Sequence, residues 1–180
     1  LHVGERWACV GHNGAGKSTL LKVLGGELRP SQGHLHAPEP LVVGRGFQTS
    51  QVFDTLTVLQ NLLLACERDG AGAAERAHVL LQTVGLDAVA HAFAENLSYG
   101  QRRLLDLALA FATSAPLVLL DEPTAGLGQA DTARLWPILQ RLAQGRTLVL
   151  VEHDAQVVAA LATHVLTLHQ GRVQSAVPYA

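Results

Sequence analysis

Apolar residues form short unbroken blocks at four places in the chain: RWACV (6–10), LVLL (117–120), TLVLV (147–151) and HVLTL (164–168). A strand with one wet face alternates apolar and polar positions, so blocks apolar throughout predict strands covered on both faces, as in a parallel sheet. Elsewhere the apolar positions recur every three or four residues. That spacing predicts helices over Lys17–Leu24, Val58–Cys66, Ala73–Val84, Arg102–Thr113 and Asp131–Leu142. Strands alternating with helices point to an α/β fold.

Residues 50 to 115 carry the helical pattern without a strand block and are expected to form a mostly helical lobe. No internal repeat is found, and no low-complexity tract beyond a Gly/Ala patch at 70–74. HLHAPEPLVVGRG (34–46) holds Pro38 and Pro40, which argue against a helix there. HQGRVQSA, near the end, is strand-like.

Composition narrows the class. The chain has 180 residues, 48% hydrophobic and 16% charged, enough to bury a substantial core as one domain. Its formal charge is −2 and its thirteen Lys and Arg are scattered, so the basic patch that duplex nucleic acid requires is missing. No apolar run is long enough to span a bilayer and the first residues do not resemble a signal peptide, so a soluble, cytosolic chain is expected. Cys9 and Cys66 fall in apolar segments and are expected to be buried and reduced. The chain contains no methionine and opens on Leu1 in mid-pattern, so its natural start is expected to lie upstream.

Candidate chemistry begins at CVGHNGAGKSTLLKVLGG (9–26), where a strand block meets a helix through a glycine-rich turn. Gly11, His12, Asn13, Gly14, Ala15, Gly16, Lys17 and Ser18 fit the phosphate-binding pattern G-x-x-x-x-G-K-[ST], with Thr19 next. Gly14 and Gly16 would let successive backbone N–H groups turn onto phosphate oxygens at a positive helix N-terminus. Lys17 would add a point charge at the β and γ phosphates, and Ser18 a hydroxyl for Mg²⁺.

LVLLDEP ends a strand block in Asp121 and Glu122, at the end where open α/β sheets bind ligands. Asp121 then suits Mg²⁺, held through water, and Glu122 suits polarisation of an attacking water. Without the glycine turn, the same pair would be an acidic helix start after a buried strand. LVLVEHD repeats the arrangement with Glu152, His153 and Asp154, and His153 could donate a hydrogen bond to a γ-phosphate.

Between these lies NLSYGQRRLLDLALA, in which Ser98 is placed to cap a helix and Gly100 and Gln101 follow. The order of glycine loop, Gln48 loop, LSYGQ, LLDEP and VEHD resembles the ATP-binding cassette (ABC) family. The resemblance spans Gly11 to Asp154. It implies a P-loop ATPase core over 1–48 and 116–180 and a helical subdomain over 49–115, in one domain cut short at both ends. It also implies ATP and Mg²⁺ as ligands, Glu122, His153 and Gln48 as catalytic residues, and Ser18, Gln48 and Asp121 around the metal. Ser98, Gly100 and Gln101 would close on nucleotide held by the P-loop of a second ATPase subunit. Transmembrane permease subunits, and indirectly a substrate-binding protein, are the further partners implied. They would hold the chain at the cytoplasmic face of the membrane.

F-Q-x-x-x-x-F-x-x-x-T-V-x-x-N, from Phe47 to Asn61, together with Tyr99, EPTAGL and VEHD, looks like the ATPases of branched-chain amino acid and urea importers. ATPases of lipopolysaccharide export share much of it, and a soluble ABC protein outside transport is the other alternative. The chain also departs from the family pattern. His12 replaces a common Pro, Tyr99 the first signature Gly, and Gly128 the usual Asp of the D-loop. A bulky Tyr99 is expected near the dimer seam. Without an Asp at position 128, the link between the two sites is in question. Segment 25–47 is short, and the adenine-stacking aromatic of the family would fall upstream of Leu1.

Overall fold

The computed structural model describes residues 1–37, 40–46 and 50–179, and of Asp69 only the backbone. Six strands form one sheet: β1 (Arg6–Val10), β2 (Val43–Gly46), β3 (Leu117–Asp121), β4 (Thr147–Val151), β5 (His164–His169) and β6 (Arg172–Pro178). Their order is β2-β3-β4-β1-β5-β6. All neighbours are parallel except β5 and β6, which form an antiparallel pair at one edge.

The apolar blocks have two covered faces, as their pattern predicts. Ala8, Val118, Leu120, Leu148 and Leu150 join a large core on one side, while Cys9, Leu119, Val149 and Val151 join a smaller one on the other. Helix α1 (Lys17–Leu24) covers the smaller core through Leu21. Helices α2 (Val58–Cys66), α3 (Ala73–Val84), α4 (Tyr99–Ala110), α5 (Gln129–Leu142) and α6 (Ala155–Leu161) contribute to the larger one. Helix α4 packs on α2 and α3 and also on β2, β3 and α5, so one continuous core joins the helical segment to the sheet.

Helix α5 begins two residues before the expected Asp131, and both boundaries of α4 differ from the spacing. Helix α4 starts at Tyr99 rather than Arg102, because Ser98 accepts from Gln101 N and the Gln101 side chain accepts from Ser98 N, a closed capping box. It ends at Ala110 rather than Thr113. Past that point the carbonyls of Phe111 and Thr113 accept from the Arg146 guanidinium at 3.2 and 2.7 Å. Strand β2 is absent from the apolar blocks because half of it is glycine. A Cβ on Gly44 would sit 2.3 Å from the Ala110 carbonyl oxygen, so only a glycine lets the end of α4 lie against that edge.

Candidate functional site

The P-loop joins β1 to α1. Gly14 (φ +79°) and Gly16 (φ +102°) hold left-handed backbone, and Gly16 is the N-cap of α1 with no side chain covering the helix start. Asn13, Ser18 and Thr19 are exposed around this opening and Ala15 is buried beneath it. The Ala15 carbonyl accepts from Gly171 N at 2.9 Å, pinning the loop to the β5–β6 turn. Gly11 has a different role: a Cβ there would stand 2.3 Å from the Leu168 carbonyl oxygen, so its glycine is required by the neighbouring strand.

Lys17 is only 6% exposed, and its Nζ donates to the carbonyls of Gly11 (2.8 Å) and His12 (3.1 Å). The ammonium is therefore held within the loop it would serve. Cys9 lies in the strand below. Burial pushes its thiol up to about 11, Lys17 opposing and Asp121 adding to the shift, so it stays protonated at neutral pH.

Asp121 closes β3 opposite Val151 of β4, and the next residue, Glu122, donates its N–H to the Val151 carbonyl at 3.1 Å. Glu122 takes a left-handed conformation, φ +48°, unusual for a side chain of its size. His153 Nε2 reaches Glu122 Oε1 at 3.2 Å. Both side chains are partly exposed.

Sequence reasoning gave Glu152 no role, yet it organises this corner. It is 3% exposed, and its carboxylate accepts from His153 N (2.8 Å), Asp154 N (3.3 Å), Thr124 N (3.3 Å) and the Thr124 hydroxyl. One buried carboxylate thus ties the turn after β3 to the loop after β4. Arg103 was missed as well. Buried in α4, it donates to the carbonyls of Glu122 and Pro123. The sequence signal was a charged residue on the apolar face of a helix pattern.

Ser98, Gly100 and Gln101 lie at the N-terminus of α4, which packs on the turn after Glu122. The Tyr99 hydroxyl donates to the Ala125 carbonyl at 2.8 Å. The phenol, expected near a dimer seam, engages its own chain. Gln48 lies outside the described residues, as do Phe47 and Thr49. The segment just after them is anchored to α4: Asp106 accepts from Ser50 Oγ (3.0 Å) and Gln51 N (3.1 Å), and Arg102 pairs with Asp54.

The structure therefore gathers Lys17, Asp121, Glu122 and His153 at the carboxyl ends of β1, β3 and β4, three adjacent strands. Ser18 and Asp121 are hard oxygen donors, which suit Mg²⁺ with water and phosphate completing its shell. Among the described residues no group of three or more His, Cys, Asp or Glu could hold a metal ion, and no helix is long and apolar enough to cross a membrane.

Comparison with known proteins extends this picture. The family model described as ABC transporter matches residues 1–125. The aliphatic sulfonates import ATP-binding protein SsuB of Burkholderia ambifaria is 37% identical over 94% of this chain and 54% of its own length. The chain spans about half of that relative and as little as 8% of another curated one. Among solved structures, cbiO1 from Clostridium perfringens, described as part of the ABC transporter complex cbiONQ, superposes with a TM-score of 0.87 at 26% identity, covering 99% of this chain and 78% of its own. The ATP-binding cassette MJ0796, in a dimeric post-hydrolysis state bound to ADP and Pi, gives 0.83 at 26% identity, over 99% and 88%.

Proposed function

Because this chain belongs to the ABC transporter family, we propose that it binds and hydrolyses ATP as the motor part of a transporter. The observation that carries the reading is the Glu122–His153 pair at 3.2 Å, set after β3 and β4, with β4 paired to the strand that feeds the P-loop. In this reading the backbone N–H groups from Asn13 to Thr19 bind the phosphates, and Lys17 exchanges its loop carbonyls for phosphate oxygens. Glu122 takes up the proton of the attacking water, and His153 orients the γ-phosphate and the Glu122 carboxylate together. Ser18, Asp121 and Gln48 would hold Mg²⁺, whose charge offsets that of the phosphates when bound.

Ser98, Gly100 and Gln101 would meet nucleotide on a second subunit, residues 49–115 serving as the subdomain that presents them. The dimeric state of MJ0796 supports this arrangement, and the complex containing cbiO1 supports permease partners. Contact with a substrate-binding protein would then be indirect, and attachment to the cytoplasmic face of the membrane would run through the permease.

Within the family we read the chain as an importer ATPase of the branched-chain amino acid or urea kind. SsuB, an import protein, supports the direction of transport. The Phe47–Asn61 pattern supports the branch, and its described positions also have local work. Thr57 caps α2, Val58 is buried, and Asn61 bonds Phe53, Leu56 and Thr57 to close the turn before α2. The permease that co-purifies with the full-length protein identifies the cargo; an export permease overturns the importer reading.

Glu122→Gln is the test of the motor. It keeps the shape of the side chain and removes the base, so ATP binding is expected to persist while hydrolysis nearly vanishes. Unchanged turnover would overturn Glu122 as the base.

A further inference from the structure

The turn that carries Glu122 is held from two sides. Glu152 holds Thr124 from the loop after β4. From the other side α4 holds it at three carbonyls: Arg103 bonds those of Glu122 and Pro123, and Tyr99 bonds that of Ala125. The two α4 side chains stand one helical turn apart and are built differently. Arg103 is buried and fixed, as a structural clamp should be, whereas Tyr99 is 59% exposed and its hydroxyl could as readily bond water.

The chain nevertheless accommodates the phenol. Gly126 has φ +78°, and a Cβ there would fall 2.5 Å from Tyr99 Oη and 3.2 Å from Cζ. The phenol tip therefore lies in the space that a side chain at residue 126 would take, and the positive φ of Gly126 keeps that space open. Tyr99 is also the first residue of α4, adjacent to Ser98, whose closed capping box makes the helix start one rigid unit. A cleft of about 450 Å³ opens beside this unit, walled by Ser98, Tyr99, Gly126, Leu127 and Arg134.

We propose that Tyr99 is a positioning residue that links the two nucleotide sites of the dimer, carrying contact at Ser98 through Ala125 to the Glu122 turn of the same chain. This rests on the reading above, in which Ser98 meets nucleotide held by the partner. A push on the α4 N-terminus moves Ser98 and Tyr99 together, and the phenol moves the carbonyl three residues after Glu122. Gly128 has no side chain with which to make such a link, and it caps α5 without a side-chain bond. The phenol supplies a link from another element.

The test is the ATP dependence of hydrolysis by the full-length protein assembled as its dimer. Native protein should hydrolyse cooperatively, with a Hill coefficient above 1 and at most about 2, the number of sites. Tyr99→Phe removes one oxygen from an exposed ring. It should keep ATP binding and most of the maximal rate while the Hill coefficient falls to about 1. Gly126→Ala, which puts a methyl where the phenol lies, should give the same loss in the Tyr99 protein and add none to Tyr99→Phe, because residues acting through one contact are not additive. An unchanged Hill coefficient in Tyr99→Phe, or native protein without cooperativity, overturns the proposal. So does a Tyr99→Phe protein that binds ATP but does not hydrolyse it, since the hydroxyl would then belong to the chemistry itself. If Glu122→Gln leaves hydrolysis intact, the motor reading fails instead.

Discussion

His153 Nε2 stands 3.2 Å from Glu122 Oε1, although the two residues leave different strands. The register explains the meeting. β3 and β4 are parallel neighbours with Asp121 opposite Val151, so the residues that follow emerge side by side. Glu122 then turns through left-handed backbone, and Glu152 fixes the approach of both loops by accepting from Thr124, His153 and Asp154. The pair is thus set by backbone pairing and one buried carboxylate rather than by the exposed side chains themselves.

Replacing His153 with Ala should lower the maximal rate of ATP hydrolysis by about 10²–10³-fold, the usual worth of one group acting on the reacting centre. ATP affinity should change only a few-fold if, as proposed, the P-loop backbone holds most of the phosphate contacts. Steady-state hydrolysis together with equilibrium binding of a fluorescent nucleotide separates the two effects. A maximal rate equal to that of the native protein would make His153 an ordinary surface residue beside Glu122.

Gly11 and Gly14 both belong to the phosphate-binding pattern, but their surroundings differ. A methyl on Gly11 meets the Leu168 carbonyl oxygen at 2.3 Å, and backbone must move to relieve it, whereas the Gly14 site is open and only the positive φ is strained. Gly11→Ala should therefore cost roughly 2–4 kcal/mol of stability and Gly14→Ala about 1 kcal/mol. For a chain of this size those costs correspond to melting points lowered by roughly 5–15 °C and about 2–4 °C. Thermal unfolding followed by circular dichroism checks the order; equal shifts would show that β5 yields to the methyl.

The legible parts of the fold were those where each residue answers to its own neighbours along the chain. Strands β1, β3 and β4 could be read because both their faces are covered, β5 because its apolar residues pack half-buried on both sides, and the glycine turn at Gly14–Gly16 because its dihedrals demand glycine. Strand β2 was not legible. Gly44 answers to Ala110, 66 residues away, and Gly46 to Leu120, and together they remove the β-branched signal from the strand itself. Glu152 hid for a similar reason. Its burial depends on β3 and β4 lying side by side, and in the sequence it reads as one more acidic residue at a strand end.

Asp106 holds the segment that starts at Ser50 by accepting from Ser50 Oγ and Gln51 N. Burial raises its carboxyl above the ordinary 3.8, against the lowering pull of those two hydrogen bonds and of Arg103 and Arg102. The folded state consequently binds this proton more readily than the unfolded state. Stability from this group is lost as pH rises from 3.8 through the raised folded value, and the cost of the buried charge is fully present above it. Asp106→Asn keeps an oxygen to accept from Ser50 and Gln51 while removing the charge. The stability of the Asn protein relative to native should therefore increase with pH across this window and level off above it. Denaturant unfolding of both proteins at intervals from about pH 4 to 7 measures the difference directly. A difference that instead moves against the Asn protein as pH rises would mean that the charged hydrogen bonds to Ser50 and Gln51 outweigh the burial of Asp106.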